Sequence, residues 1–487
     1  MNYKIVFNTL GKVLVILALV MCIPMVVGLI YQDGSLLSFL VTIGLSLSIG
    51  LPLSLMKLGD KSLHAKEGFV IVALCWITMS LMGALPFIIS GSIPNFFDAF
   101  FETVSGFTTT GSSILSLDET GTLLPKGIMF WRIFTHWLGG MGVLVFVLAI
   151  LPSTGESMYI MRAEAPGPSS SKLVSKISHT ARILYGIYLA LTFVETILLL
   201  FNGMGLYEAF LVSCSTAGTG GLGIYGSSIA HYNSAYVEIV VAIFMFLFGI
   251  NFNLFYLIVI GKIAKAIKSE EFIGYVIIVL TATLIIALNV TNSFGSFWVA
   301  LRHAFFQTAS ISSTTGFSTV NFIEWPALSK GILMILMIIG ACGGSTGGGI
   351  KVSRLIILGK SCTNGIKKSL HPRSINSVKL DGESLSKEIE RNTFVYFILW
   401  VMIVAIGTLL LCLDVNAGQD IFTNFTATLT CIGNVGPGMA NVIGPLGNFA
   451  AYNGFSKMLL SIIMLAGRLE ILPMIILFAP NTWKRGK

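Results

Sequence analysis

A short segment rich in glycine and threonine occurs four times in this chain, each time after a short apolar stretch and before a long one. Glycine adopts positive φ at no steric cost, and small hydroxyl side chains leave the backbone carbonyls uncovered. Four such loops around one axis would replace the hydration shell of a cation with oxygens, so the repeat predicts an ion-selective pore. We call these segments the Gly/Thr loops: Thr108-Thr109-Thr110-Gly111, Gly218-Thr219-Gly220-Gly221, Ser313-Thr314-Thr315-Gly316 and Gly433-Asn434-Val435-Gly436.

The composition places these loops in a membrane protein. Of the 487 residues, 55% are hydrophobic and 11% are charged, whereas about a quarter of the residues of a soluble domain are charged. The first apolar stretch lacks a small-residue cleavage pattern, so we expect it to be an anchored span. A span needs about 20 apolar residues, and ten segments meet this requirement: 8–31, 36–56, 68–92, 127–151, 182–203, 235–262, 272–293, 329–360, 393–413 and 456–480.

Basic residues lie in alternate loops between these spans, and their placement argues against nucleic acid as the partner of a chain with net charge +8. Cytoplasmic loops are enriched in lysine and arginine, so the pattern predicts that both termini are cytoplasmic. The acids of the opposite loops would attract cations through modest, screened fields, or they are ordinary solvated residues. The basic residues are Lys57, Lys61, Lys66, Arg162, Lys172, Lys176, Lys262, Lys265, Lys268, Lys367, Lys368, Arg373, Lys379, Lys387, Lys484, Arg485 and Lys487. The acids are Asp98, Glu102, Asp118, Glu119, Glu208, Asp414 and Asp420.

The apolar segment before each Gly/Thr loop is too short to cross a membrane. A half-length helix that stops midway must be shielded from lipid by protein, and four of them packed about one axis satisfy this condition. The predicted fold class is therefore an all-α polytopic membrane protein, with four span, half-helix, span repeats in one chain around a single pore and two extra N-terminal spans. The predicted domains are 1–60 for the extra spans and 68–151, 180–265, 272–360 and 391–482 for the repeats.

At these motifs the chain resembles the TrkH/TrkG/KtrB superfamily of potassium transporters, and the two extra N-terminal spans resemble the TrkH branch. The most specific motifs are residues 105–111, 314–319 and 434–438, which read SGFTTTG, TTGFST and NVGPG. The resemblance covers essentially the whole sequence. It implies four potassium-channel-like M1-P-M2 repeats, K⁺ coordinated by backbone carbonyls, and a homodimer.

The resemblance also implies which residues form the selectivity filter. The filter glycines of the family match Gly111, Gly316 and Gly436. In the second repeat, aligning Leu222 with Phe317 selects Gly221, while Gly220 remains an alternative. A glycine in all four loops resembles the K⁺-selective members. The predicted K⁺-binding residues are Thr109, Thr110, Gly111, Thr219, Gly220, Gly221, Thr314, Thr315, Gly316, Asn434, Val435 and Gly436.

A glycine-rich stretch from Gly340 to Gly349 interrupts the predicted span 329–360. Each glycine in a helix interior costs about 1 kcal/mol relative to alanine, so the helix is expected to break there. In the resembling family this position is an intramembrane loop that gates the pore. A packing kink is one alternative, and a nucleotide loop is another, although the Gly-Lys-Ser/Thr ending of a P-loop is missing. The predicted gate residues are Gly343, Gly344, Ser345, Thr346, Gly347, Gly348 and Gly349, together with Arg468.

Arg468 lies inside the last apolar span. A charge within the membrane usually faces a cavity or a partner, and the resemblance implies an arginine that projects toward the conduction path below the filter. The alternatives are an ion pair with Glu470 or snorkelling. Lys351 and Arg354 either anchor the glycine-rich stretch or mark the cytoplasmic boundary. His136 is expected to be a hydrogen-bonded structural residue, and a proton relay is the alternative.

No enzyme is predicted, because the six histidines are scattered and the acids cluster in loops. The seven cysteines form no CxxC or Cys/His cluster, so neither a metal site nor a cofactor is predicted, and K⁺ is the transported ion. The predicted function is K⁺ uptake across a bacterial cell (inner) membrane. The alternative is an alternating-access carrier coupled to H⁺ or Na⁺, which four direct repeats disfavour. The resemblance further implies contact with membrane lipid and with a TrkA-like cytoplasmic ring of nucleotide-binding regulatory subunits.

Overall fold

The computed structural model describes residues 1–56, 65–142, 177–372, 377–415 and 420–483. These residues are almost entirely helical, with a small hairpin of β1 (Lys379–Leu380) and β2 (Glu383–Ser384). The helices are α1 (Tyr3–Tyr31), α2 (Leu36–Ser54), α3 (Ala65–Ile89), α4 (Phe96–Phe107), α5 (Lys126–Gly140), α6 (Ile177–Leu200), α7 (Leu206–Ala217), α8 (Ala235–Phe248), α9 (Phe252–Val259), α10 (Ile263–Ile267), α11 (Glu270–Phe294), α12 (Phe297–Ser312), α13 (Ala327–Ile339), α14 (Val352–Leu370), α15 (Lys387–Leu411), α16 (Ile421–Gly433), α17 (Gly454–Arg468), α18 (Leu472–Phe478) and α19 (Pro480–Trp483).

Some predicted features lie outside the described residues. They are the parts 57–60 and 143–151 of two predicted domains, and the basic residues Lys57, Lys61, Arg162, Lys172, Lys176, Arg373, Lys484, Arg485 and Lys487.

Within the described ranges, six helices are long and apolar enough to cross a membrane, namely α1, α2, α3, α6, α11 and α15. A seventh span is present if α8 and α9 are taken together, although they meet at an angle of 91°. The first span of each repeat is thus a continuous helix. The second span is interrupted in the second, third and fourth repeats, where the structure describes both sides of the break.

The broken second spans differ from the sequence prediction, which placed unbroken helices at 235–262 and 456–480. The first of these bends where the side chain of Asn251 accepts a hydrogen bond from the amide of Asn253 at 2.9 Å and caps α9. In the second, α17 ends just before Glu470 and Ile471, which adopt φ of 55° and 70°. The break predicted within 329–360 is found between α13 and α14. We call residues 340–351 the glycine-rich loop.

The half-length helices α4, α7, α12 and α16 contain 12, 12, 16 and 13 residues. Such helices are about 18–24 Å long, less than the roughly 30 Å of a hydrocarbon core. The side chains of Asn95 and Asp420 cap the first and the last of them by accepting amide hydrogen bonds. Every residue of α4 from Ala99 to Phe107 is buried, as shielding from lipid requires.

Helix packing closes the four repeats into a ring. Each half-length helix packs against the first span of its own repeat and against the second span of the preceding repeat, in the pairs α5 with α7, α8 with α12, and α13 with α16. The contact of α17 with α4 joins the fourth repeat to the first. The N-terminal helices α1 and α2 pack on each other, and Asp33 accepts a hydrogen bond from the amide of Gly127 at 2.6 Å, which ties them to the first repeat.

Candidate functional site

The four Gly/Thr loops share one backbone conformation. In each loop a residue with positive φ is followed by one with ordinary φ and then by a glycine with positive φ. Positive φ strains a β-branched residue such as threonine, and strain of this kind concentrates at functional sites. The pairs of φ values are 56° and 81° for Thr109 and Gly111, 52° and 73° for Thr219 and Gly221, 62° and 86° for Thr314 and Gly316, and 53° and 104° for Asn434 and Gly436.

Equivalent hydrogen bonds hold this conformation in all four repeats. The amide of the residue between the two positive-φ positions donates to a carbonyl in the last turn of the preceding half-length helix. Four helix ends therefore present four loops of the same shape. The donor and acceptor pairs are Thr110 with Ser105 at 2.9 Å, Gly220 with Ser215 at 2.9 Å, Thr315 with Ser310 at 2.8 Å and Val435 with Thr430 at 3.0 Å.

The loops contact one another as a closed ring of carbonyls and glycines. A Cβ atom placed on the glycine of one loop would lie against a backbone oxygen of the next loop, in the order one, two, three, four and back to one. A glycine is required at each of these positions because its φ is positive and because a Cβ would collide with the next loop. The distances from the placed Cβ to the oxygen are 2.0 Å for Gly111 and Gly220, 2.0 Å for Gly221 and Thr315, 2.2 Å for Gly316 and Val435, and 2.8 Å for Gly436 and Thr110.

The ring decides between the two candidate glycines of the second repeat. Gly221 has φ of 73° and contacts the next loop, as Gly111, Gly316 and Gly436 do. Gly220 occupies the middle position, equivalent to Thr110, and its φ is not positive. Gly221 is therefore the structural equivalent of the other three glycines.

The polar side chains of the loops support the backbone. The hydroxyls of Thr108 and Thr110 lie 2.8 Å apart, and those of Ser313 and Thr315 lie 2.7 Å apart. Asn434 donates from Nδ2 to Oγ1 of Thr110 at 2.9 Å and to the carbonyl of Met464 at 3.0 Å. Asparagine tolerates positive φ better than most residues, so this side chain both fits its backbone and joins the fourth repeat to the first.

The glycine-rich loop lies against the base of the Gly/Thr loops. The amide of Gly348 donates to Oγ1 of Thr314 at 2.7 Å. A Cβ on Gly347 would lie 2.6 Å from the carbonyl oxygen of Ser313, and one on Gly348 would lie 2.3 Å from that of Gly433. The loop thus touches the third and the fourth Gly/Thr loops, and its glycines permit that approach.

Arg468 connects this loop to the first repeat. Its guanidinium donates to the carbonyl of Thr346 at 2.6 Å and to the carbonyls of Gly139 and Gly140, each at 2.6 Å. Glu470, the partner considered from the sequence, forms an ion pair with Arg354 instead.

Lys351 and Arg354 are both buried, and each donates to a carbonyl of the glycine-rich loop, which favours the anchoring interpretation over that of a boundary marker. Lys351 donates to the carbonyl of Gly347 at 2.5 Å. Arg354 lies 4.1 Å from the ring centroid of Tyr396, in addition to its pair with Glu470.

Glu271 holds both ends of the glycine-rich loop, and the sequence analysis missed it. Its Oε1 accepts from the amides of Gly343 at 2.6 Å and Ser353 at 3.1 Å, and its Oε2 accepts from Nδ2 of Asn251 at 3.4 Å. In the sequence it is one of two acids at the start of a helix, where acids commonly complement the helix dipole. No sequence signal separated Glu271 from Glu270.

The expectation that Glu102 belongs to an outer acidic face is wrong. Its side chain is fully buried and forms an ion pair with Arg132 at 2.7 Å. Arg132 also donates to the carbonyl of Gly223 at 2.9 Å, so the pair joins the first repeat to the second. A carboxylate is buried only when charge and hydrogen bonds compensate it, and Arg132 supplies both.

Glu119, by contrast, is an exposed acid in the loop between α4 and α5. It accepts from the amide of Ser227 at 2.7 Å and from Nδ1 of His231 at 3.0 Å, which links the loops that follow the half-length helices of the first two repeats. The hydrogen bond from His231 holds the pKa of Glu119 below its ordinary value. In the part of the chain that the structure describes, no three His, Cys, Asp or Glu side chains converge on a metal site.

Comparison with known proteins agrees with this architecture. The family model described as "TrkH: Cation transport protein" matches residues 39–485. The chain is 35% identical to the Trk system potassium uptake protein TrkH of Salmonella typhimurium, over 99% of this chain and 100% of that protein. It is 30% identical to the Trk system potassium uptake protein TrkG of Escherichia coli K12, over 99% of each.

A solved structure, the crystal structure of the potassium transporter TrkH from Vibrio parahaemolyticus, matches with a TM-score of 0.87 and 30% identity. The match covers 99% of this chain and 100% of that one. Similarity of this extent confirms the predicted fold class, an all-α polytopic membrane protein.

Proposed function

Because this chain belongs to the TrkH family of cation transport proteins, we propose that it takes up potassium ions through a selective pore in the cell membrane. It is a membrane transport protein and not an enzyme, as predicted, and potassium is its cargo. The observation that carries the proposal is the closed ring in which each Gly/Thr loop sets a glycine against a carbonyl of the next.

In this proposal the carbonyl oxygens of the Gly/Thr loops replace the water around K⁺. Such a filter needs residues without a side chain where one loop contacts the next, and it needs each loop to be held at a fixed distance from the next loop. The four glycines with positive φ meet the first condition. The equivalent hydrogen bonds to the half-length helices support the second.

The glycine-rich loop, residues 343–349 in particular, acts as the gate. Its contacts with Ser313 and Gly433 support a position directly beneath the filter. Arg468 and Lys351 donate to its carbonyls and hold this arrangement. Opening requires the loop to leave, so it must exchange these hydrogen bonds for others.

The remaining parts of the proposal concern assembly and orientation. The protein is a homodimer in the bacterial inner membrane, and both of its termini are cytoplasmic. Its four repeats have the limits that the sequence predicts. A TrkA-like ring of nucleotide-binding subunits docks on basic inner residues that include Lys262, Lys265 and Lys367. An impermeant maleimide applied to whole cells should label Cys412 and spare Cys362, both of which are exposed. Pull-down with a candidate ring protein tests the partner, and cross-linking tests the dimer.

The decisive experiment is ⁸⁶Rb⁺ flux into proteoliposomes that contain the purified chain, in competition with K⁺ or Na⁺. K⁺ should block the flux and Na⁺ should not. In a Gly316→Ser variant this discrimination should weaken, because serine at φ of 86° is strained and its Cβ meets the oxygen of Val435.

One other outcome is informative. Flux that is indifferent to both competitors and to Gly316→Ser would rule out the carbonyl filter. It would then favour an alternating-access carrier coupled to H⁺ or Na⁺.

A further inference from the structure

The second Gly/Thr loop lacks a side chain that the other three loops have. The middle position holds Thr110, Thr315 and Val435 in the first, third and fourth repeats, and all three are fully buried. In the second repeat it holds Gly220. Since φ of Gly220 is not positive, the backbone there does not require a glycine.

The imidazole of His136 fills the space beside Gly220. A Cβ placed on Gly220 would lie 2.0 Å from Nδ1, 2.2 Å from Cγ and 2.4 Å from Cε1 of that ring, and these are its three nearest atoms. The carbonyl oxygen of His136 lies 2.3 Å from a Cβ placed on Gly218. Two glycines of the second loop are therefore required by the approach of one residue from the first repeat.

The ring of His136 is fixed in this position. It is fully buried, and its Nδ1 lies 3.3 Å from the hydroxyl of Ser215. Ser215 also receives the amide hydrogen bond of Gly220 at 2.9 Å. The imidazole therefore contacts both the loop and the helix turn that anchors it.

The carbonyl of Gly220, the residue beside which the imidazole lies, belongs to the ring of oxygens. The oxygen of Gly220 is the atom that faces Gly111. Residues 218–223 contain four glycines, and glycine has more conformational freedom to lose than any other residue. A loop of this composition needs an external contact to hold one conformation.

We propose that His136 is a positioning residue of the potassium filter. Its imidazole comes from the neighbouring repeat and takes the place of the side chain that Gly220 lacks. It holds the carbonyl of Gly220 at the distance that the other three loops set with their own side chains. The inference rests on the proposed function, because it assigns His136 to the selectivity of that filter.

A double-mutant cycle tests the proposal. His136→Ala removes the ring and should weaken discrimination between K⁺ and Na⁺ in the ⁸⁶Rb⁺ competition assay. Gly220→Thr alone should weaken it as well, because the new side chain collides with the imidazole. The double variant has a threonine at the middle position, as the first and third loops do. Its K⁺/Na⁺ discrimination relative to the wild type should exceed the product of the relative discriminations of the two single variants by about fivefold or more.

Phe134→Ala is the matched control. Phe134 is a buried aromatic residue on the same helix, and its ring packs against Phe130 and Trp137 with centroids 5.3 Å away in each case. Its truncation should lower the melting temperature and leave discrimination unchanged. A loss of discrimination in this control equal to that of His136→Ala would show a general packing effect and overturn the proposal.

The possible failures are distinguishable. A wild-type protein that does not discriminate rejects the proposed filter itself. A discriminating wild type with unchanged His136→Ala, or with additive effects in the cycle, rejects the role of His136. If His136→Ala does not fold, His136→Leu retains most of the volume and should keep discrimination, while His136→Leu with Gly220→Thr should lose it. The opposite result rejects the proposal.

Discussion

The ring of Gly/Thr loops and the layer beneath it follow opposite rules. In the ring, four loops repeat the same φ pattern and the same helix-end hydrogen bond. Beneath it, each described second span breaks in its own way: a bend capped by Asn251, the glycine-rich loop, and a stop at Glu470 and Ile471. The proposed filter needs a backbone carbonyl from each of the four loops, whereas the proposed gate needs a movable segment in one place only.

The largest effect should come from alanine in the ring. Positive φ costs an alanine about 1–2 kcal/mol, so Gly111→Ala, Gly221→Ala and Gly316→Ala should each reduce K⁺/Na⁺ discrimination about tenfold or more in the flux assay. Gly436→Ala should be the mildest of the four, because its Cβ has 2.8 Å to the nearest oxygen.

Two further alanine variants sharpen the comparison. Gly340→Ala in the glycine-rich loop is strained as well, with φ of 70°, and should change the flux rate without changing discrimination. Gly331 has ordinary φ, and a Cβ placed on it would have no neighbour within 4 Å, so Gly331→Ala should change neither quantity. If Gly340→Ala alters discrimination as the ring variants do, the two regions are not separate in function.

Arg468→Gln should affect a different quantity, the basal flux. The guanidinium donates to carbonyls of the glycine-rich loop and of the first repeat, and hydrogen bonds to charged groups contribute about 1.5–3 kcal/mol. Loss of this contribution should raise basal ⁸⁶Rb⁺ flux about tenfold or more while discrimination stays at the wild-type value.

Lys360→Gln is the control for Arg468→Gln. Lys360 pairs with Glu270, and both side chains are 38% exposed, so the pair contributes little. Flux in this variant should match the wild type. Unchanged flux in Arg468→Gln would mean that Arg468 does not hold the loop.

The smallest effect concerns Glu119, which belongs to neither region. Its pKa is lowered in the folded protein, so its contribution to stability is complete above the ordinary value of 4.5 and disappears as the pH falls through the lower folded value. Glu119→Gln should cost less than about 1 kcal/mol at neutral pH, because the side chain is 57% exposed.

Melting temperatures in detergent check this prediction. The difference between Glu119→Gln and the wild type should be small at pH 7 and should vanish at acid pH. A difference that grows on acidification would contradict the assigned sign.

The ring was predictable because its signals are local and repeated. Each Gly/Thr loop follows a short apolar segment, and four copies in one chain indicate one architecture even where a single copy would not. The choice of Gly221 over Gly220 needed the structure, because both residues satisfy the sequence pattern and they differ in backbone φ.

The layer beneath was less predictable because its causes are not periodic. Hydropathy treats 235–262 as one span, although α8 ends at Phe248 and the side chain of Asn251 caps the start of α9. Ile471 gives no sequence signal for its φ of 70°. The pairs of Glu102 with Arg132 and of Glu271 with Gly343 join residues distant in sequence, and composition does not reveal them.

The covalent continuity of the ring has a genetic consequence. One codon change alters one quadrant and leaves three untouched, whereas a channel assembled from four copies of one gene product changes all quadrants together. Asn434 in one quadrant, and Gly220 with its contact to His136 in another, are differences that an identical tetramer cannot encode. Because all four loops lie in one reading frame, mutation can therefore change the proposed filter one loop at a time.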